Sequence, residues 1–371
     1  MNKIFLAKDA DINETRVALI PADIKKLIEM GYEFMVESKA GVKAGYTDEL
    51  YSTLGAKITA AAKDGYDFCD VVVRINKPDD IKGIRENTLH ISCFDIFNEK
   101  EAVKEYAGAG INLISLEMVP RTTIAQKMDI QSSQTSLAGY YAVILAASRL
   151  PQIFPMMMTP SGTISPARVF VIGVGVAGLQ IIATAKRLGA IVEAFDTRPD
   201  VEEQVKSLGA KFVKINLGEM EQTEQGYAKE LTPEQIELQR KAQAKVCANS
   251  NIVITTAKVF GRKAPLLLTK DMISQMKPGS IIIDMAVSTG GNVEGSDPGK
   301  DVTLDNGVTI IGGDRLERFV PKDASDMFSG NMFALFEHFW DAENKTMLVD
   351  QSDDIMGSCL ITFDKKVRER S

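Results

Sequence analysis

Histidine is almost missing from this chain: His90 and His338 are the only two in 371 residues. That leaves little material for imidazole bases or imidazole metal ligands. Cysteine is scarce too, and Cys69, Cys93, Cys247 and Cys359 stand far apart with no C-x-x-C spacing. Buried thiols in a reducing compartment fit this better than a disulfide frame or a zinc site, and no metal is expected. No block of Lys or Arg stands clear of acidic neighbours and the net charge is −7, so the footprint of a nucleic-acid or anionic-membrane binder is absent. Long apolar runs are lacking as well. The longest, Val169 to Ala185, contains Gly173, Gly175, Gly178 and Gln180, falls short of the ~20 residues of a membrane helix, and suits a buried strand, turn and helix. Near the start, Ile4 to Ala7 precedes Lys8 and Asp9, too short for the apolar core of a signal peptide, so no export signal and a cytoplasmic location are expected.

What is present is an ordinary folding composition, with 45% hydrophobic and 25% charged residues, in a chain long enough for two domains. Strand-length apolar runs alternate with amphipathic stretches, the pattern of parallel sheets with crossover helices. The fold expected is α/β: two Rossmann-like doubly wound domains joined by long helices. Residues 1–131 with 321–371 are expected to form one domain and 132–320 the other. In the first, strands are expected at Ile4–Ala7, Phe34–Glu37, Val71–Arg74 and Leu113–Leu116, with a helix opening at Pro21 and closed by Gly31. A linking helix is expected from Ser132. The second domain has strands expected at Val169–Val171, Ile191–Phe195, Lys211–Val213, Ile252–Thr255, Ile281–Asp284 and Val308–Ile311. A polar interval from Leu217 to Lys245 suggests a surface loop plus helix. A second long helix is expected at Ala324–Trp340, with Thr346–Val349 and Cys359–Phe363 as a closing pair of strands.

After the strand at Val169 the sequence runs Gly173-Val-Gly175-Val176-Ala177-Gly178 into a helix. A G-x-G-x-x-G in this context is a strong dinucleotide-binding pattern: Gly173 permits the turn, Gly175 admits a pyrophosphate to the backbone, and Gly178 lets helix and strand close up. Asp196 ends the next strand, where a carboxylate binds the ribose diol of NAD and repels the phosphate of NADP. Arg198 complicates this, since a nearby arginine can accommodate that phosphate, or equally touch the pyrophosphate or solvent. NAD is favoured. Thr256 and Ala257, after the strand at Ile252, complete the expected cofactor-binding set.

Before the linking helix, Arg121, Gln126, Asp129 and Ser132 offer a cation, an amide, a carboxylate and a hydroxyl from one loop. By themselves these residues are better explained as a capped loop, with Asp129 and Ser132 bonded to backbone. A wider match changes that. Arg-Val-Ala-Leu-Ile-Pro near the start, this loop, Ser-Ser-Gln-x-x-Leu-Ala-Gly-Tyr, Phe-Pro-Met-Met-Met-Thr, Gly-Val-Gly-Val-Ala-Gly-Leu-Gln and Lys-Pro-Gly-Ser-Ile-Ile-Ile-Asp-Met-Ala-Val resemble the NAD(H)-binding component of proton-translocating transhydrogenases, from about Asn13 to about Thr362. The resemblance implies that this chain holds NAD(H), that a partner subunit holds NADP(H), and that a membrane subunit moves a proton. Gln126 would bridge toward the partner's nucleotide, Arg121 and Asp129 would position the nicotinamide, Ser132 would bond its carboxamide, and Tyr227 would lie on a loop closing over NAD(H). It also implies a homodimer, peripheral attachment to the inner membrane through partner subunits, and a fold shared with alanine dehydrogenase. Because the chain stops at Lys-Lys-Val-Arg-Glu-Arg-Ser with no apolar tail, the membrane part is expected on a separate subunit, unless this is a fragment.

Chemistry offers an independent check. Hydride passage between two nicotinamides needs positioning and no general acid or base, whereas amino-acid oxidation needs a base. Neither histidine stands where alanine dehydrogenases carry theirs; Asp95 takes that register. Arg16 and Lys77 match residues that grip the substrate carboxylate in alanine dehydrogenase, and they keep an NAD-dependent alanine dehydrogenase open as an alternative. A non-catalytic NAD(H)-sensing protein is a further one.

Overall fold

The computed structural model describes residues 1–215, 232–259 and 261–368. The chain divides into two compact units, Met1–Gln134 with Glu317–Ser371, and Thr135–Leu316. The first crossing falls within the helix Ile130–Arg149.

In the first unit six parallel strands run in the order Asn112–Ser115, Leu89–Cys93, Val71–Asn76, Lys3–Leu6, Glu33–Glu37, Lys57–Thr59, and Leu360–Phe363 adds antiparallel to Asn112–Ser115. The first strand lies mid-sheet because the chain goes outward to Glu33 and then returns to its other side at Val71. Such a reversal opens a crevice at the carboxyl ends of the strands. Near-continuous burial of Val71, Val72 and Val73 matches a sheet covered on both faces. The helix Pro21–Met30 starts with proline at its first turn and ends at Gly31, whose φ of 120° suits glycine.

The expected closing pair of strands does not form. Thr346–Met347 pairs with Trp340–Asp341, while Leu360–Phe363 joins the main sheet and pairs with Lys366–Val367. Nor does the second long helix join the units. Pro321–His338 lies within the first unit, where Phe328, Met332, Leu335 and Phe336 are buried in the same core as Ile24 and Leu27. The second crossing falls in the short turn Leu316–Phe319.

The second unit has strand order Lys211–Phe212, Ile191–Phe195, Arg168–Ile172, Ile252–Thr255, Ile281–Asp284, Thr309–Gly312, all parallel, with Asp301–Thr303 antiparallel at the edge. The apolar run beginning at Val169 is buried strand, turn and helix Val176–Arg187. Within the polar interval lies the helix Pro233–Ala248, opened by a Thr232/Gln235 capping box. A hairpin missed from sequence, Met157–Thr159 with Gly162–Ile164, stands exposed. Among the described residues no helix is long and apolar enough to cross a membrane. All four cysteines are free; Cys93 alone is not fully buried.

Candidate functional site

Register assembles the cradle in the second unit. Ile172 is paired with Phe195 on one side and Thr255 on the other, so the residues that follow, Gly173, Asp196 and Thr256, emerge at one level. Gly173 takes φ 97° and donates its N–H to Phe195 O at 2.9 Å. Its carbonyl accepts from Thr256 Oγ1 at 2.9 Å. Gly175 opens the helix in extended conformation with no side chain capping it, which leaves the helical N–H groups for an anion. A Cβ at Gly175 would meet nothing within 4 Å, whereas one at Gly178 would stand 3.0 Å from the Gly173 carbonyl carbon and closer still to its oxygen. The two glycines therefore do different work: one leaves room for a ligand, the other lets strand and helix touch. Ala177 is buried and Val176 exposed beside them.

Asp196 is mostly buried. Its carboxylate accepts from Val174 N at 2.7 Å, and Arg198 wraps it through backbone N at 2.9 Å, Nε at 3.1 Å and a terminal nitrogen at 3.1 Å. Arg198 thus partly neutralises the Asp196 carboxylate. Sequence reading missed two buried residues that shape the opposite rim. The Asp284 carboxylate accepts the N–H groups of Ala286, Asn292 and Val293, and Asn292 in turn exchanges hydrogen bonds with both backbone groups of Ala257. An Asp ending a buried Ile-Ile-Ile strand was the available clue, since an unpaired charge is not left in a core. Gly139 was missed too: a Cβ there would stand 2.7 Å from the Ala177 carbonyl.

In the first unit the loop before the linking helix is anchored by Ala125, Met128 and Ile130, all buried, and by Asn331, which donates to Lys127 O and accepts from Ser133 Oγ, both at 2.7 Å. With Ala125 and Met128 anchored one turn apart, Gln126 between them is exposed, as are Arg121 and Ile124. Asp129 immediately precedes the helix and accepts from Ser132 N at 3.0 Å and Ser132 Oγ at 2.6 Å, an N-cap. Tyr227 lies outside the described residues.

The amino-acid-binding constellation does not assemble. Arg16 is buried and its guanidinium is occupied by Glu14 at 2.8 and 2.7 Å, Gln134 at 3.0 Å and Glu317 at 3.1 Å. Burial alone would raise the Glu14 carboxyl, but the hydrogen bonds and charge of Arg16, with the Asn76 amide, hold it at about 2. Lys77 lies past the end of its strand and pairs with Glu99 at 3.5 Å; the residue that reaches the Arg16 cluster is Asn76, bonded to Glu14 at 3.0 Å. Asp95 is exposed in a left-handed turn, φ 55°, with both oxygens taken by Asn98 Nδ2. That turn is fixed by Glu117, which accepts from Phe94 N and Asp95 N and whose carboxyl burial pushes up. His90 is wholly buried; it meets Tyr106 Oη through Nδ1 at 2.9 Å, and burial and the Arg74 charge push its pKa well down. His338 lies 3.7 Å from Asp353.

A parallel sheet that reverses at a glycine turn, a helix opening on that turn and a carboxylate ending the next strand define a dinucleotide-binding protein of two Rossmann-like units. Residues 6–138 match the alanine dehydrogenase/PNT N-terminal domain and residues 142–370 the corresponding C-terminal domain. The chain belongs to the alanine dehydrogenase/PNT family. It is 40% identical to the first part of NAD(P) transhydrogenase subunit alpha of Rhodospirillum rubrum over 98% of this chain and 96% of that protein. The crystal structure of a transhydrogenase from Sinorhizobium meliloti is similar with TM-score 0.88 and 38% identity, covering 99% of this chain and 100% of that one. Alanine dehydrogenase of Bacillus subtilis is more distant, 27% identical over 78% of this chain and 72% of that protein.

Proposed function

We propose that this chain is the NAD(H)-binding subunit of a proton-translocating NAD(P) transhydrogenase, exchanging a hydride directly with NADP(H) held by a partner subunit while a membrane subunit moves a proton. The observation that carries the reading is the dismantled acid–base site: Arg16 is saturated by its own chain, Lys77 serves Glu99 and Asp95 serves a turn. A hydride exchanger needs none of these groups. The cradle fits a dinucleotide on its own geometry, through the open space over Gly175, the uncapped helix and the ribose-level carboxylate of Asp196.

Bound there, the nicotinamide supplies the carbon that gives or takes the hydride. Gly173, Gly175, Val176, Ala177 and Gly178 present backbone to the pyrophosphate, Asp196 with Arg198 takes the adenosine ribose, and Thr256 and Ala257 form the facing edge. Arg121, Asp129 and Ser132 orient the nicotinamide, and outward-facing Gln126 touches the partner's nucleotide. The Asp129–Ser132 bond holds the serine for that task while capping the helix. A homodimer is supported by the hairpin, where Met156, Met157, Met158 and Ile164 present an exposed apolar arm. The assembly is cytoplasmic and held at the inner membrane by its partners.

Incubating the protein with L-alanine and NAD at alkaline pH separates this reading from an alanine dehydrogenase. No steady NADH production is expected; turnover lost on replacing Arg16 or Asp95 would overturn the proposal.

A further inference from the structure

An arginine offers five N–H donors in a planar fork, so a buried arginine beside a crevice is a receptor for a carboxylate wherever one edge of the fork is free. In Arg16 one edge is closed from within. Glu14 grips Nε and one terminal nitrogen at 2.8 and 2.7 Å. Its own side chain has no exposed surface, and it is held in turn by Asn76 at 3.0 Å and by Arg318 at 3.3 Å. Arg318 is tied further to Asp11 at 2.6 Å. Nothing from solvent displaces that carboxylate without dismantling the cluster.

The other edge differs. The second terminal nitrogen of Arg16 meets Gln134 Oε1 at 3.0 Å and Glu317 Oε1 at 3.1 Å. Gln134 is buried and fixed by its amide to Ala324 O at 3.0 Å. Glu317 sits on the short turn Leu316–Phe319, and its side chain is 14% exposed against 5% for Arg16. Of the three side chains on Arg16 it is therefore the most exposed, Glu14 and Gln134 being buried, and its carboxylate stands where a carboxylate arriving from solvent would bind.

We propose that Glu317 is a specificity-determining residue: it fills the free edge of Arg16 with a tethered carboxylate and so excludes small amino and 2-oxo acids from the first unit. Tethering makes the internal carboxylate an intramolecular competitor, present at an effective concentration that millimolar free acids do not match. Its removal leaves the second terminal nitrogen of a buried guanidinium with only the Gln134 amide oxygen as partner, an under-satisfied donor edge that a free carboxylate relieves. The proposal concerns only the first unit and does not depend on what the bound nucleotide exchanges.

Calorimetric and thermal-shift titration of the full chain with pyruvate, and with acetamide as an uncharged control, tests it. The wild type is expected to show no saturable pyruvate binding. Glu317→Ala is expected to bind pyruvate at least ~10-fold more tightly than the wild type and to ignore acetamide, with NADH titration unchanged. Glu317→Gln retains the volume and an acceptor oxygen but not the charge, and carries the same test with a smaller gain if the alanine variant is poorly folded. Equal pyruvate binding by the wild type and a folded variant, whether strong or absent, overturns the proposal. So does a gain that acetamide shares.

Discussion

Replacing Gly175 and Gly178 separately by alanine distinguishes a glycine that leaves room for a ligand from one that lets two backbone segments touch. At Gly178 the new Cβ meets backbone, the Gly173 carbonyl, which cannot swing aside as a flexible side chain can. Overpacking of this kind costs about 1–3 kcal/mol, and a backbone clash puts it at the upper end. For a unit of this size each kcal/mol lowers the melting temperature by about 2–4 °C, so Gly178→Ala should melt about 6 °C or more below the wild type. At Gly175 the φ of −88° and ψ of −160° suit alanine, and the Cβ meets nothing within 4 Å. Gly175→Ala should melt within about 1–2 °C of the wild type, since the free protein bears no strain. The same methyl group occupies the space proposed for the pyrophosphate, and about 1–3 kcal/mol of strain confined to the complex weakens NADH binding roughly 5–150-fold. Differential scanning fluorimetry with and without NADH, and fluorescence titration of NADH, read both quantities. Undiminished NADH affinity in Gly175→Ala, or normal melting of Gly178→Ala, would refute the division of labour.

Three more outcomes follow from the geometry. NADH should bind more tightly than NADPH; Asp196→Asn should narrow the gap and Arg198→Ala should widen it, because the guanidinium now offsets the carboxylate, and equal affinities in paired titrations would contradict the assignment. The folded Glu14 carboxyl lies near 2, below its ordinary 4.5. Its contribution of about 3 kcal/mol is therefore complete above pH ~4.5 and lost as pH falls toward 2, and urea midpoints that fall no faster in the wild type than in Glu14→Gln across that window would disprove it. Gln126→Ala should leave NADH affinity nearly intact while lowering hydride exchange with a partner component ~100-fold, whereas full exchange would make the loop a structural cap only.

The strand, glycine turn and helix proposed to hold the cofactor were legible because they are contiguous, and a single pairing register puts Asp196 and Thr256 beside Gly173. The Arg16 cluster was not, because Glu14, Asn76, Gln134 and Glu317 meet only once the sheet forms. Lys77 in particular matched a pattern one position past the residue, Asn76, that the strand end delivers to the cluster. Asp284 and Asn292 escaped for a related reason, since a buried carboxylate fixing a loop acts through backbone groups that carry no residue identity. The hairpin at Met157 escaped because each of its strands has only 3 residues, too few to show an alternation.

The most direct test of the account mixes this protein with the NADP(H)-binding component of a transhydrogenase, supplies NADPH and an NAD analogue with shifted absorbance, and follows reduction of the analogue. Rapid exchange in the mixture and none with either component alone is the predicted result. Exchange absent from the mixture, although this chain binds NADH and the partner binds NADPH, would contradict the central claim.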